Sequence, residues 1–303
     1  MRAIGNTPLV KLQKIVEPNS ADIYVKLESS NRTGSMKDRM ALSMIEAAEN
    51  RGDLRPGGTV IEYTGGSTGS SLAMVCSVKG YSAHFVSSDA FSEEKIQTMR
   101  AFGANVEIIP SENGNITVEL IKTMEGRIEE LNENDNTFWI DQFNNVDNKK
   151  GYHSMAYEIL SELDQHVDEF IAGVGTGGCF SGNSEILKEE IPNIKCIATE
   201  PFYVRALSGG YMGGGHKLEG MGIGFVPSIC RLDLADEIIP VKDEDAYNMC
   251  RKLAVQEGIF GGATSGANVW AAIQRARVIG PGKRIVTVIC DSGLKYLKGD
   301  IYK

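Results

Sequence analysis

The amino-acid sequence has no apolar run long enough to cross a bilayer, and residues 1–5 contain no signal-peptide core. Its 303 residues include only six cysteines and four histidines, with no Cys-x-x-Cys pair and no metal-ligand spacing. We therefore expect a cytoplasmic protein that holds no metal and keeps its cysteines as reduced thiols. The net charge of −9 argues against nucleic acid and anionic membranes as partners.

Internal repeats and long linkers are also missing, and two local patterns alternate along the chain instead. Runs rich in β-branched or aromatic residues predict strands at 23–28, 59–63, 83–87, 106–109, 138–140, 170–174, 196–200, 237–241 and 284–289. Segments of helical period predict helices at 39–50, 68–78, 93–102, 118–131, 152–163, 182–190, 244–257 and 265–277. This alternation predicts an α/β fold with mainly parallel sheets, and the chain length favours two lobes. The glycine-rich segment 208–224 is predicted to be an irregular, mobile loop near a site.

A lone lysine, Lys37, stands where a turn of small residues leads into a predicted helix. The positive end of the helix macrodipole disfavours a cation there, and a lysine that loses its proton becomes a nucleophile or forms a Schiff base. A surface lysine in the first turn is the simpler alternative. The motifs that follow along the chain favour the chemical role.

Two glycine clusters lie where predicted strands lead into predicted helices, at 63–71 and at 173–182. Glycine lets the backbone turn tightly and approach a ligand, while the helix start offers N–H donors. Both clusters are therefore predicted to bind anions. An ordinary tight turn remains the alternative for each cluster taken alone.

The second cluster also fits another interpretation, because Gly173-x-Gly175-x-x-Gly178 matches the dinucleotide fingerprint and Glu200 ends the next predicted strand. An NAD-dependent oxidoreductase is thus an open alternative, although it gives no role to Lys37 or to the first cluster. A Walker A loop is excluded because no Gly-Lys-Ser/Thr closes either cluster.

Eight motifs occur in the order of a known family, at 4–10, 34–39, 64–69, 142–145, 175–178, 200–201, 257–262 and 291–297. Together they resemble the cysteine synthase and cystathionine β-synthase family of fold-type II pyridoxal-phosphate enzymes, over nearly the whole chain. Residues 206–222 are more similar to the cysteine synthases (O-acetylserine sulfhydrylases) than to the cystathionine enzymes.

The resemblance implies two three-layer α/β/α lobes with mainly parallel sheets, the tryptophan synthase β-like architecture. Residues 38–141 would form a smaller, mobile lobe that closes on the substrate. Residues 1–37 and 142–303 would form a larger lobe that binds the phosphate of pyridoxal 5'-phosphate. The resemblance also implies a homodimer.

The resemblance further implies roles for individual residues. Lys37 would bind the cofactor covalently and then remove the substrate Cα proton. Other cofactor-binding residues would be Ser67, Gly175, Thr176, Gly177, Gly178, Cys179 in place of the usual threonine, Gly222 beside the ring and Ser292 at the pyridine nitrogen. The substrate carboxylate would be held by Thr64, Gly65, Ser67, Thr68 and Gln142.

One motif departs from the family pattern Thr-Ser-Gly-Asn-Thr-Gly. This chain reads Thr64-Gly65-Gly66-Ser67-Thr68-Gly69. Ser67 is shorter than the asparagine that contacts the cofactor's ring oxygen, but it can still form a hydrogen bond. Gly65 is expected to leave extra room near the substrate side chain.

The reaction implied by the resemblance is β-replacement through an α-aminoacrylate intermediate. O-acetyl-L-serine and sulfide would give L-cysteine and acetate, so the partners are a small amino acid and a thiol or sulfide. A cysteine-consuming lyase that releases hydrogen sulfide and a cystathionine or lanthionine β-synthase are alternatives within the same chemistry. A serine or threonine dehydratase and a non-catalytic amino-acid sensor remain further alternatives.

Overall fold

The computed structural model describes residues 1–114, 117–210 and 215–303. These residues form two compact units. The first unit comprises Met1 and Lys37–Asn148, and the second comprises Arg2–Met36 and Lys149–Lys303. Four residues of the segment predicted to be a mobile loop, 211–214, lie outside the described residues. Within the described ranges, none of the helices is both long and apolar enough to traverse a lipid bilayer.

Strands and helices alternate along the chain. In chain order the strands are β1 (Leu9–Lys11), β2 (Asp22–Leu27), β3 (Thr59–Tyr63), β4 (Ser82–Ser88), β5 (Asn105–Ile109), β6 (Thr137–Trp139), β7 (Glu169–Gly173), β8 (Lys195–Pro201), β9 (Glu237–Val241) and β10 (Arg284–Ile289). The α-helices are α1 (Lys37–Arg51), α2 (Ser67–Lys79), α3 (Glu93–Ala101), α4 (Val118–Asn132), α5 (Asp147–Lys150), α6 (His153–Glu162), α7 (Gly178–Glu190), α8 (Asp243–Lys252) and α9 (Ala263–Ile279). Short 3₁₀ segments lie at Glu28–Ser30, Leu232–Leu234 and Gly293–Tyr296, and a π-helical turn at Leu253–Glu257 continues α8.

The first unit is built on a parallel sheet with the strand order β5-β4-β3-β6. Its core combines apolar residues of β3, β4 and α4: Ile61, Tyr63, Val86, Leu120, Met124, Ile128 and Leu131. The four members on α4 are Leu120, Met124, Ile128 and Leu131. They are spaced three and four residues apart, so one face of the helix packs on the sheet. The hydroxyl of Thr117 caps α4 by accepting from the N–H of Leu120 at 3.1 Å.

The second unit is built on a larger sheet with the order β1-β2-β10-β7-β8-β9. All its pairings are parallel except that of β1, which runs antiparallel to β2. The central strand β7 is buried at every position, as expected for a parallel strand covered on both faces. The carboxyl end of β7 leads directly into the second glycine cluster.

The α/β fold class with mainly parallel sheets is confirmed, and each predicted strand and helix is present. Strands β3, β9 and β10 have the predicted bounds, and the other predicted elements have shifted ends. Strand β1 and helix α5 were not predicted. They have only 3 and 4 residues, respectively, which is too short for a hydrophobic period to show.

Candidate active site

The first glycine cluster links β3 to α2 in the first unit. Gly66 is the N-cap of α2, with a φ of 147° that only glycine adopts readily. Within the described part of the chain no side chain caps this helix start. The N–H of Gly66 instead donates to the Thr64 hydroxyl at 3.1 Å. The N–H groups of the first turn therefore form an electropositive site that suits a carboxylate.

Two of the residues predicted to hold the substrate carboxylate are directly hydrogen-bonded. The Thr68 hydroxyl donates to Gln142 Oε1 at 2.8 Å, and Gln142 Nε2 donates to the carbonyl oxygen of Tyr63 at 3.2 Å. Thr68 and Gln142 are each 5% exposed. The carbonyl of Gln142 also accepts from Asn148 Nδ2 at 2.7 Å. The structure thus brings Gln142 to the 64–68 loop and fixes its amide group there.

A buried carboxyl group that sequence reasoning missed lies behind this loop. Glu62 is fully buried, and its two oxygens accept from the backbone N–H groups of Tyr63 at 2.9 Å and Gln142 at 3.0 Å. It therefore joins the end of β3 to the segment after β6. Burial raises the pKa of Glu62 to about 8, and the charge of Asp141 acts in the same direction. The available signal was a charged residue inside the otherwise apolar strand β3.

Replacing Glu62 with glutamine is expected to flatten the pH dependence of the free energy of unfolding. The folded carboxyl keeps its proton up to about pH 8, whereas the unfolded chain loses it near 4.5. Stability from this group is therefore complete below the unfolded pKa and is lost as the pH rises to the folded pKa, by on the order of 5 kcal/mol at most. Urea unfolding of both proteins at several values from about pH 5 to about pH 9 measures the difference.

The Glu62→Gln variant also loses one acceptor for a backbone N–H. The wild type should therefore be more stable than the variant at low pH, and this difference in the free energy of unfolding should shrink as the pH rises. Glu133→Gln, at an exposed position after α4, is the matched control and should leave the wild-type pH dependence in place. Parallel pH dependences for the wild type and Glu62→Gln would contradict this account of Glu62.

The extra room expected at Gly65 is filled in the structure. A Cβ atom at residue 65 would lie 2.7 Å from both Cδ1 and Cε1 of Phe91. Distances this short do not occur between real Cβ atoms and their neighbours. The expectation of open space beside Gly65 is therefore wrong, because it considered only the loss of a side chain and not the ring that replaces it.

Lys37 is the first residue of α1, which begins two positions before the predicted helix start at 39, and it is half-buried. The next residue, Asp38, is fully buried and accepts a hydrogen bond from the Ser71 hydroxyl of α2 at 2.7 Å. This bond fixes the start of α1 against α2 within the first unit. The position of the Lys37 backbone thereby depends on the helix that carries the 64–68 loop.

The second glycine cluster links β7 to α7 in the second unit. Gly177 is the N-cap of α7 with a φ of 85°, and a Cβ there would lie 2.7 Å from Cys230 Cβ. A Cβ on Gly175 would overlap the carbonyl oxygen of Gly220. No side chain caps α7 in the part of the chain that the structure describes. These residues form a backbone cradle at a helix start, which fits a phosphate group.

Three further predicted cofactor residues, Thr176, Cys179 and Gly222, lie in or next to this cradle in the second unit, whereas Ser67 is the first residue of α2 in the first unit. Thr176 and Cys179 are buried, and the Thr176 hydroxyl lies 3.4 Å from the N–H of Gly178. The N–H of Gly222 donates to the carbonyl oxygen of Val174 at 3.1 Å, which places Gly222 beside the end of β7. Gly222 has a φ of 68°, so a glycine is favoured there.

Ser292 follows β10 and caps the short 3₁₀ segment after it. Its hydroxyl oxygen accepts from the N–H of Leu294 at 3.3 Å, and its own N–H donates to the carbonyl oxygen of Gly34 at 2.9 Å. Since a hydroxyl has one proton and two lone pairs, Ser292 can still donate to a ring nitrogen. Ser292 is therefore chemically suited to a neutral pyridine nitrogen.

A family model described as "Pyridoxal-phosphate dependent enzyme" matches residues 1–291. The cysteine synthase of Staphylococcus aureus is 42% identical over 301 residues, which cover 99% of this chain and 95% of that protein. A hydrogen sulfide-producing enzyme from Fusobacterium nucleatum has a similar structure, with a TM-score of 0.90 and 44% identity over 97% of this chain and 96% of that one. The cysteine synthase of Entamoeba histolytica has a TM-score of 0.91 and 36% identity over 99% of this chain and 89% of that one.

Proposed function

Because this chain belongs to the family of pyridoxal-phosphate dependent enzymes, and within it to the cysteine synthases and their relatives, we propose that it makes L-cysteine and acetate from O-acetyl-L-serine and sulfide. The predicted resemblance, the fold type, the cofactor and the class of β-replacement enzyme are confirmed by the same matches. The observation that carries the proposal is the 42% identity to a cysteine synthase along 99% of the chain. This family membership argues against the NAD-dependent oxidoreductase as the explanation of the second glycine cluster.

The described residues fit pyridoxal 5'-phosphate. The backbone of the 175–178 loop would hold its phosphate at the start of α7, with Thr176 and Cys179 close by. A thiol is a weaker hydrogen-bond donor than the threonine hydroxyl usual at position 179, so the backbone N–H groups would carry most of the binding. Ser292 would donate to the pyridine nitrogen, Gly222 would leave space beside the ring, and Ser67 would face the ring oxygen. When bound, the cofactor supplies an electron sink for negative charge at the substrate Cα.

The amino-acid substrate would be held by the first unit. Its carboxylate would bind at the uncapped start of α2, where the backbone N–H groups of Ser67 and Thr68 in the first turn would donate to it. Gln142 would orient Thr68 through the 2.8 Å hydrogen bond between them. Glu62 would in turn position Gln142 by accepting its N–H.

Lys37 would act as the acid and base of the reaction. Its ε-amino group, which would hold the cofactor covalently in the absence of substrate, would remove the Cα proton of the bound amino acid. Acetate would then leave from Cβ with the bonding electrons, the hydrosulfide ion would add at Cβ, and Lys37 would return a proton to Cα. The neutral hydroxyl of Ser292 does not force a proton onto the pyridine nitrogen, which restrains the electron sink and favours elimination at Cβ over other carbanion reactions.

A second candidate is the release of hydrogen sulfide from L-cysteine, which the 44% identity to a hydrogen sulfide-producing enzyme favours. The same residues would serve, because the leaving group on Cβ would then be hydrosulfide, and the remaining three-carbon fragment would be released and hydrolysed by water to pyruvate and ammonia. A cystathionine or lanthionine β-synthase would differ only in the thiol that adds.

Steady-state kinetics with pyridoxal phosphate present test the proposal. Three reactions are compared: O-acetylserine with sulfide, cysteine alone with sulfide release measured, and cysteine or serine with homocysteine. We expect the highest kcat/KM for O-acetylserine with sulfide. Faster release of sulfide from cysteine would establish the lyase instead, and cystathionine as the main product would establish the condensing enzyme.

We also propose that the protein is a cytoplasmic homodimer and that residues 38–141 move towards bound substrate, as the resemblance implies. Closure of this lobe would exclude water before acetate leaves. Light scattering after size-exclusion chromatography gives the oligomeric state, for which we expect twice the chain mass of 32.9 kDa.

A further inference from the structure

Phe91 lies on a fixed turn between β4 and α3. Its N–H donates to the carbonyl oxygen of Ser88 at 3.1 Å, and the N–H of Ala90 donates to the Ser88 hydroxyl at 3.2 Å. The Asp89 carboxylate accepts from the N–H of Ser111 at 2.7 Å. The half-buried Phe91 packs against the hydrophobic core of the first unit. The turn and the core together restrict where the ring can lie.

The ring occupies the space that a side chain at position 65 would need. A Cβ there would lie 2.7 Å from Cδ1 and Cε1 of Phe91 and 3.2 Å from Cζ. Gly65 does not have the left-handed φ that its neighbour Gly66 has. The contact with Phe91, and not the backbone conformation, is therefore what requires glycine at position 65.

The replacement of the family's serine by Gly65, with the ring of Phe91 beside it, changes the chemistry of the loop proposed to bind the substrate. At the position where the family pattern has a serine hydroxyl, this chain has the edge of an aromatic ring. The ring is anchored by the core, so it forms a rigid, apolar wall beside the N–H groups proposed to hold the substrate carboxylate. When the substrate carboxylate is bound at these N–H groups, the Cα and Cβ atoms of the substrate lie close to this wall, because they are only one and two bonds from the carboxylate carbon.

We propose that Phe91 is a specificity-determining residue and that Gly65 is the residue that admits its ring. This proposal rests on the proposed function and deepens it, because it assigns the class of nucleophile. A rigid wall leaves space at Cβ for a nucleophile as small as hydrosulfide and disfavours a long thiol that carries its own amino and carboxylate groups. The enzyme should therefore prefer sulfide to homocysteine as the second substrate.

The test measures kcat/KM for sulfide and for homocysteine with O-acetylserine as donor, in the wild type and in Phe91→Ala. The Phe91→Ala variant should raise the ratio of kcat/KM for homocysteine to kcat/KM for sulfide by at least ~10-fold, the usual effect of opening an apolar pocket by more than one methylene. Phe102→Ala is the matched control, since Phe102 is also half-buried and lies at the other end of α3. It should leave the ratio unchanged. An equal ratio in wild type and Phe91→Ala would overturn the proposal.

Melting temperatures test the coupling of the two residues independently of activity. Gly65→Ser should lower Tm, because the new side chain displaces the ring from the core. Adding Phe91→Ala to Gly65→Ser should recover part of that loss, so the two substitutions should be non-additive. Additive Tm changes would overturn the assigned role of Gly65.

The outcomes also separate this proposal from the proposed function. A wild type that makes no cysteine from O-acetylserine and sulfide would contradict the proposed function, whatever Tm shows. A wild type that makes cysteine, together with a Phe91→Ala variant of unchanged selectivity, would contradict only the role of Phe91.

Discussion

Replacing Lys37 with alanine is expected to lower kcat/KM for cysteine formation by about 10³-fold or more, because one substitution would remove both the proposed covalent attachment of the cofactor and the proposed base for the Cα proton. The structure places Lys37 at the first position of α1, where the Asp38–Ser71 hydrogen bond fixes the backbone. Initial rates of cysteine formation with saturating pyridoxal phosphate measure the effect. Mass spectrometry after borohydride reduction measures the attachment, which should be found at residue 37 in the wild type and at no residue in the variant.

Lys79→Ala is the control for Lys37→Ala. Lys79 lies in the last turn of α2 and forms an ion pair with Glu49 at 2.7 Å, away from the loop at the other end of that helix. Its removal should leave activity and cofactor attachment unchanged, since ion pairs of this kind contribute about 1 kcal/mol or less to stability. A Lys37→Ala protein with full activity would end the proposed mechanism.

Replacing Gly175 with alanine is expected to disrupt the phosphate cradle. The new Cβ would overlap the carbonyl oxygen of Gly220, and a backbone atom cannot move aside as the end of a side chain can. The loop must shift, at a cost of roughly 1–3 kcal/mol in the free energy of unfolding. Because the N–H groups of the loop then lose their alignment, the dissociation constant for pyridoxal phosphate should rise by about 10-fold or more. Fluorescence titration of the apoenzyme measures this constant.

Gly126→Ala supplies the matched control. Gly126 lies inside α4, and a Cβ there would meet no atom within 4 Å. Alanine is the better helix former by about 1 kcal/mol, so this variant should be equally or more stable and should bind the cofactor as the wild type does. Equal cofactor affinity in Gly175→Ala and Gly126→Ala would contradict the assignment of the cradle.

Local patterns were sufficient for most of the fold. The strands and helices were predicted because each has its own hydrophobic period or β-branched run, and a regular alternation of the two leads to parallel sheets. Strand β1 was not predicted, because its three residues are stabilised as a strand by pairing with β2, which is not adjacent to them in the sequence. The start of α7 was predicted too late, at 182, because the glycines at 177 and 178 are typical of a loop. In the structure the helix begins at Gly178.

The glycine loops and Lys37 could be found from the sequence because their chemistry depends on residue type and on nearby neighbours. Glu62 and Phe91 could not, because their roles come from contacts that the fold creates. Glu62 accepts a hydrogen bond from Gln142, 80 positions along the chain. Phe91 fills the space beside Gly65, from a turn after the next strand. The motif at 64–69 therefore revealed the missing serine but not the ring that replaces it.

We propose that Lys37 removes and returns the Cα proton of the bound amino acid while acetate leaves from Cβ and sulfide adds there. The most direct test is the visible absorption spectrum of the purified protein with pyridoxal phosphate, recorded before and after O-acetylserine and again after sulfide. With one equivalent of O-acetylserine per enzyme site, we predict a band of the lysine-linked cofactor that O-acetylserine shifts and sulfide restores, with one cysteine formed per site. A protein that shows no such band after addition of the cofactor, or whose band O-acetylserine leaves unchanged, would contradict the account.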